Sequence, residues 1–203
     1  MPRPKADHPV FLIVAGPNGS GKSSSYRDTQ IEDSGRTIWI VNPDILTVRI
    51  SESEGIPLEK ANRAAVERIE AWLDASMDVH KSVGVETVLS TDKYRRLVAK
   101  AKGLGFAVWL VYVVLDSPDR NIERVRLRVR KGGHDVPDDK VRSRYARSLA
   151  QFPWFLDQAD SAWIYDNSGA EPQRIGEKRV GVITLDETAL PAIVEAVRSI
   201  ETE

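Results

Sequence analysis

Cysteine is absent from the 203 residues, and histidine occurs only three times. The first absence excludes disulfides, thiolate metal centres and cysteine nucleophiles together, and is compatible with a reducing compartment. No Cys or His cluster surrounds His134, so a structural zinc site has no support. Charge of one sign is missing as well: 29 Lys and Arg stand against 30 Asp and Glu, a net charge of -1. The basic excess of a dedicated DNA or RNA binder is not there, and nucleic acid is not expected as a partner. Long apolar runs are also lacking. The longest, FAVWLVYVVL at 106 to 115, has ten residues, about half of what a membrane-spanning helix requires. The opening MPRPKADHP carries no apolar signal segment. A cytoplasmic protein with no membrane partner is expected. No internal repeat, low-complexity tract or linker interrupts the sequence, whose 41% hydrophobic content suits one sizeable core. The expectation is one domain over 1–203 with a mobile insertion.

What the sequence does contain is an alternation. VFLIVA at 10 to 15 is continuously apolar, as a strand buried on both faces is. TIWIV at 37 to 41, VGVETVL at 83 to 89, the 106 to 115 run and SAWIYD at 161 to 166 read as further strands, separated by helical stretches. The spacing of Leu58, Ala61, Ala65, Ile69, Leu73 and Met77 predicts a long amphipathic helix within 57 to 82. Asp92 is expected to cap a helix running to Gly103 and Gly105, and Ser117 with Pro118 to start another. RVGVITL predicts a late strand, and a terminal helix follows from about Thr188. The class is α/β with a parallel sheet. Trp154, Phe155 and Trp163 fit core packing better than base stacking.

GPNGSGKSS at 16 to 24 satisfies GxxxxGK[ST] between a buried strand and a helix, where a phosphate-binding loop belongs. Gly16, Pro17, Asn18, Gly19, Ser20, Gly21, Lys22, Ser23 and Ser24 are expected to hold a nucleotide. Inward-facing N–H groups and the helix N-terminus supply its phosphates with partial positive charge. Lys22 is expected at the β- and γ-phosphates and Ser23 on Mg2+.

A transporter-type ATPase needs a signature such as LSGGQ and a strand ending in Asp-Glu, and neither occurs. Asp116 ends a strand but precedes Ser117 and Pro118, so a helix-start role suits it at least as well as magnesium. In WIVNPD, Asp44 follows the second strand, on the side where ligands bind in open α/β sheets. It suits a carboxylate that accepts the proton of an attacking hydroxyl; an N-cap for the helix beginning ILTVRI suits it equally on pattern. Glu86 is a charge inside an apolar strand and needs a cation. Magnesium beside Ser23 is favoured over an Arg or Lys from a covering helix, because Thr87, Ser90 and Thr91 make the same strand end polar.

Residues 119 to 147 hold eight Arg and two Lys against five acids. On a helix Ile122, Val125 and Val129 face inward, while Arg120, Arg124 and Arg128 stack along another face and call for an anion. Gly132 and Gly133 break that helix and VPDDK restarts one. The pattern predicts an arginine-rich helical lid over nucleotide phosphates, with Arg128 and Arg130 among its phosphate contacts and His134 helping to close it.

Taken together, AGPNGSGKSS, VNPD, ANRAAVERI, VETVLS, RVRKGGHDVP with RSRYARSL, and IYDNSG resemble the zeta-toxin family of P-loop kinases over residues 10 to about 168. The resemblance implies a P-loop NTPase kinase-like three-layer sandwich that uses ATP and Mg2+. It further implies phosphorylation of the sugar 3'-hydroxyl of UDP-N-acetylglucosamine, and a cognate antitoxin as protein partner. By resemblance Lys22 and Ser23 are the phosphate and magnesium positions and Asp44 the catalytic base. Glu86 is the acid of the central strand, and Arg124 the first lid arginine, counted with Lys22 and Asp44 as catalytic. Arg63, Glu86, Thr87 and Ser90 are assigned to the substrate, with Ser23 and Glu86 on the metal. The sequence also departs from larger zeta toxins. Ser90, Thr91 and Asp92 stand where those carry an arginine for the substrate diphosphate, and the second lid arginine is replaced around His134. The hexosamine-contacting acid has no secure counterpart, Glu67 and Glu70 being only near it. Kinases of another small molecule, such as an antibiotic or nucleoside, and a nucleotide-gated ATPase that binds nucleic acid or a partner remain as alternatives.

Overall fold

The computed structural model describes residues 8–23, 38–133 and 135–200. Ser24, Thr37 and His134, each part of an expectation above, lie outside the described residues. Among the described residues the order is β1 (Val10–Ala15), β2 (Trp39–Val41), α1 (Pro43–Glu54), α2 (Leu58–Asp78) and β3 (Val83–Thr87). Then come α3 (Arg95–Gly103), β4 (Ala107–Val114), α4 (Pro118–Arg130), α5 (Asp138–Gln158), β5 (Ser161–Asp166), β6 (Gln173–Arg179), β7 (Val182–Leu185) and α6 (Pro191–Ile200).

The strands form one sheet in the order β2-β3-β1-β4-β5-β6-β7, parallel from β2 through β5 and antiparallel beyond. The expected parallel α/β architecture is therefore present. The chain leaves β1 toward one side of it and later returns to the other side as β4. This places a crevice at the carboxyl ends of β1 and β3, the usual ligand position in such sheets. Alternation along β1 divides the interior. Phe11, Ile13 and Ala15 join one core with Ile69, Leu73 and Met77 of α2, Leu97 of α3, Phe152 and Phe155 of α5 and Ile193 of α6. Val10, Leu12 and Val14 face the other way, among Trp109, Val111 and Val113. Trp163 packs edge-on against Trp109 there, and Trp154 and Phe155 belong to the first core, as their sequence context suggested. Among the described residues no helix is long and apolar enough to cross a membrane.

Three expectations require correction. RVGVITL is not one strand: Val180 and Gly181 both take positive φ, 52° and 78°, which turns the chain between β6 and β7 as a tight hairpin. VGVETVL ends as a strand at Thr87, because Leu89 adopts φ 57°. Asp92 does not cap α3 with its side chain; its main-chain carbonyl accepts from Arg95 N at 2.8 Å, and Tyr94 stands at the N-cap without a side-chain bond. Ser117 does cap α4, its Oγ accepting from Arg120 N at 3.4 Å, and Pro118 occupies the first turn.

One surface network ties α2 to α3. Arg96 donates through both terminal nitrogens to the two Asp74 oxygens at 3.1 and 2.6 Å, and Lys100 adds a third bond at 2.9 Å. The Arg96 hydrogen bond, with Lys100, pulls the Asp74 carboxyl down from 3.8 to about 2. A lowered carboxylate pKa stabilises the fold above pH 3.8, and that stability disappears as pH falls through about 2. Asp74→Asn is expected to cost about 1 to 2 kcal/mol at pH 7, since a tenfold change in proton affinity corresponds to about 1.4 kcal/mol and solvent screens a partly exposed pair. Urea unfolding of both proteins should show the difference shrinking between pH 4 and pH 2. A constant gap over that range would sink the assignment.

Candidate active site

The phosphate-binding loop is held from behind by two asparagine amides. Asn121 of α4 donates from Nδ2 to the Asn18 carbonyl at 2.6 Å, and Asn167, just past β5, donates from Nδ2 to the Ser20 carbonyl at 2.8 Å. In a trans peptide the N–H points opposite to the C=O, so the N–H groups of Gly19 and Gly21 turn the other way. Gly21 has φ 91°, and a Cβ there would lie 2.2 Å from Asn167 Nδ2. The absent side chain is what admits the amide that orients the loop.

Lys22 is buried and lies across the loop, donating from Nζ to the carbonyls of Gly16 at 2.7 Å and Pro17 at 3.0 Å. Burial lowers its pKa, while the charges of Glu86 and Asp44 work in the opposite direction and Arg128 lowers it further. Those four groups therefore share one field. Ser23 Oγ donates to Glu86 at 2.9 and 3.1 Å, and Asn42 Nδ2 donates to Glu86 Oε2 at 2.8 Å. Glu86 is buried at the end of β3. Asp44 is exposed in the first turn of α1. It is not the cap of that helix; Asn42 is, accepting at Oδ1 from Asp44 N at 2.8 Å and Ile45 N at 3.3 Å.

A cleft of about 500 Å3 runs from the loop between α1, α2 and the α4–α5 pair. Of the residues picked from sequence, Asn18, Gly19, Lys22, Asp44, Glu86, Thr87, Ser90 and Arg128 line it. The three stacked arginines diverge. Arg120 pairs with Asp116 at 2.9 Å, Arg124 donates to the Asn167 carbonyl at 2.6 Å beside the loop, and Arg128 reaches the cleft. Arg130 and Arg63 are exposed and do not line the cleft; Arg63 pairs with Glu67 at 3.0 Å. Arg128, two positions before Arg130, and Asn62, beside Arg63, line it instead, because a helix turns about 100° per residue and points such side chains apart.

Sequence reasoning passed over several groups. Lys93, Lys140 and Arg144 line the cleft as additional cations, Arg144 donating to Asn18 Oδ1 at 3.3 Å. Asn42 and Asn167 stand within the motifs VNPD and IYDNSG, so a signal was available for both. Gly132 and Gly133 end α4, as their sequence suggested. Gly133 N donates to the Arg128 carbonyl at 3.0 Å and Gly132 N to that of Val129 at 2.9 Å, a helix-terminating pair of bonds that needs the positive φ of Gly132.

The oxygen set of Ser23 and Glu86 fits a magnesium ion, which takes one or two protein oxygens and completes its shell with phosphates and water. Among the described residues no group of three His, Cys, Asp or Glu could hold a metal ion.

Residues 2–170 match the sequence model of the family described as Zeta toxin. A protein of Haemophilus influenzae is 27% identical over 139 residues, which are 66% of this chain and 91% of that protein. Among solved structures, the AvrRxo1-ORF1:-ORF2 complex with ATP superposes with a TM-score of 0.71 at 16% identity, covering 95% of this chain. This chain spans 63% of that one's length. A structure from the PezAT chromosomal toxin-antitoxin system of Streptococcus pneumoniae superposes with a TM-score of 0.65 at 15% identity, over 97% of this chain and 85% of that one. With most of its length matched, the chain belongs to the zeta toxin family and is built as a P-loop kinase.

Proposed function

We propose that this chain is a kinase that transfers the γ-phosphoryl group of ATP, with Mg2+, to a sugar hydroxyl of a nucleotide sugar such as UDP-N-acetylglucosamine. The carrying observation is that one cleft joins Lys22 and Glu86 at the phosphate loop to Asp44 on the facing helix. Family membership supports the reaction class. Lys22 and the loop amides hold the nucleotide phosphates, while Ser23 and Glu86 offer the oxygens that bind magnesium. The ion supplies charge neutralisation of the phosphates. Asp44 orients the acceptor hydroxyl and takes its proton as the new oxygen–phosphorus bond forms. The bond from phosphorus to the bridging oxygen breaks, and ADP leaves with that electron pair. Arg128 from the lid helix α4 neutralises the transferring group, as a planar, permanently charged fork suits. Arg124, the lid arginine expected to be catalytic, holds the main chain of Asn167, whose amide supports the loop, and stands beside the phosphates it would help to neutralise. Ser90 in the cleft wall, where larger zeta toxins carry an arginine, is why other small acceptors belong in the assay.

Incubation with ATP, Mg2+ and UDP-N-acetylglucosamine should yield a sugar nucleotide heavier by one phosphoryl group by mass spectrometry. Transfer instead to a nucleoside or antibiotic would move the acceptor but keep the kinase. ATP turnover that responds to DNA or RNA in a salt-sensitive way, with no acceptor phosphorylated, would replace the proposal by a nucleic-acid ATPase. A cognate antitoxin is part of the same proposal, motivated by the toxin-antitoxin system among the structural relatives.

A further inference from the structure

Asn42 follows Val41, which pairs with Val85 in parallel register, so it comes level with Glu86 at the end of the neighbouring strand. Its amide is used at both ends. Oδ1 caps α1 by accepting from Asp44 N and Ile45 N, and Nδ2 donates to Glu86 Oε2. The opposite amide orientation would set NH2 against two N–H groups and an oxygen against a carboxylate, so the neighbours admit one orientation. Ser23 donates to the same carboxylate. One planar group thus links the turn that carries Asp44 to the Ser23–Glu86 pair. The strand that leads into it, β2, is three residues long and lies at the sheet edge, while α1 itself packs on α2 through Ile50, Ala61 and Ala65.

We infer that Asn42 is a positioning residue. It holds the acid on the acceptor side at a set distance from the metal-side carboxylate, acting through Asp44 and Glu86 rather than on reacting atoms. Its catalytic consequence rests on the kinase proposal above, but the tether itself is a property of the resting protein. The need is geometric. Phosphoryl transfer relies on alignment of hydroxyl and phosphate, and a misplacement of about 1 Å costs on the order of a hundredfold in rate. The outer partners of a metal-binding carboxylate carry about ten- to a hundredfold in affinity or activity.

Asn42→Ser separates tether from cap, because serine caps a helix about as well as asparagine and is too short to reach Glu86. The full chain should fold, its melting temperature falling only by the few degrees that one hydrogen bond to Glu86 contributes. Its affinity for ATP without metal should change less than about twofold. The gain in ATP affinity on adding Mg2+ should fall about tenfold, and kcat should fall about ten- to a hundredfold with acceptor KM nearly unchanged. Asn42→Ala should show the same losses plus a still lower melting temperature, from the lost cap. If Asn42→Ser keeps the full Mg2+-dependent gain, the inference is overturned and Asn42 is a cap only. Should the wild type phosphorylate no acceptor, the kinase proposal fails, whereas the Mg2+-dependent ATP affinity still decides the tether.

Discussion

Asp44→Asn is expected to lower phosphoryl transfer by about 10² to 10⁴-fold, the range of a positioned general base, while ATP affinity stays within about twofold. The substitution is close to isosteric at an exposed position. The main-chain bond of residue 44 to Asn42 Oδ1 does not involve the carboxylate, so α1 keeps its start. Among the described residues the Asp44 side chain has no hydrogen bond or ion pair to lose, but a longer-range field shared with Lys22 and Lys93. A fall in kcat with unchanged nucleotide binding and melting temperature is therefore specific to proton acceptance. ADP release with acceptor present, alongside an ATP titration, measures both. Turnover within threefold of wild type would remove Asp44 from the reaction.

Gly16→Ala has the second large effect, and it acts on the scaffold. Gly16 sits at φ 143°, and a Cβ there would stand 1.9 Å from the Val113 carbonyl oxygen and 3.1 Å from Ser20 Oγ. Val113 lies inside β4, fully buried and paired with Tyr165 of β5, so its backbone has little room to retreat. The loop must move instead. A strained backbone and an overpacked contact each cost about 1 to 3 kcal/mol, so a loss of about 3 kcal/mol in stability and at least tenfold in ATP affinity is expected. Gly103→Ala is the matched control. It ends helix α3 with nothing within 4 Å of a built Cβ, and alanine there should be neutral or stabilise by up to about 1 kcal/mol. Denaturant titration of the two variants distinguishes them; equal stabilities would show that the close approach to Val113 is not enforced.

Both predictions use residues legible in the sequence, for different reasons. The loop is legible because its chemistry is local: strand, glycines, lysine and serine occur within a few residues, and the backbone conformation they demand follows from their identities. Asp44 and Glu86 are legible as carboxylates at the ends of apolar strands, where an uncompensated charge is costly. The amphipathic face of α2 and the capped start of α4 follow from periodicity and the Ser-Pro pair. Periodicity failed where two hydrophobic segments meet at a turn: RVGVITL reads as one strand, yet the positive φ of Val180 and Gly181 folds it back.

The sequence by itself determined that a parallel α/β sheet ends in a phosphate loop facing two acids, because those features depend on spacing along one or two neighbouring elements. Only the tertiary structure decided which side chains meet. It turned Arg128 into the cleft while leaving Arg63 and Arg130 outside. Lys93 came to the same cleft from the segment before α3, and Lys140 and Arg144 from α5. Asn42 was joined to Glu86 across 44 positions of sequence, and Asn167 to Ser20 across 147. The reason is physical. A helix rotates about 100° per residue and a strand alternates sides, so the facing of a side chain depends on the exact start of its element and on strand order. Neither is set by local composition; both follow from how the sheet closes around β1.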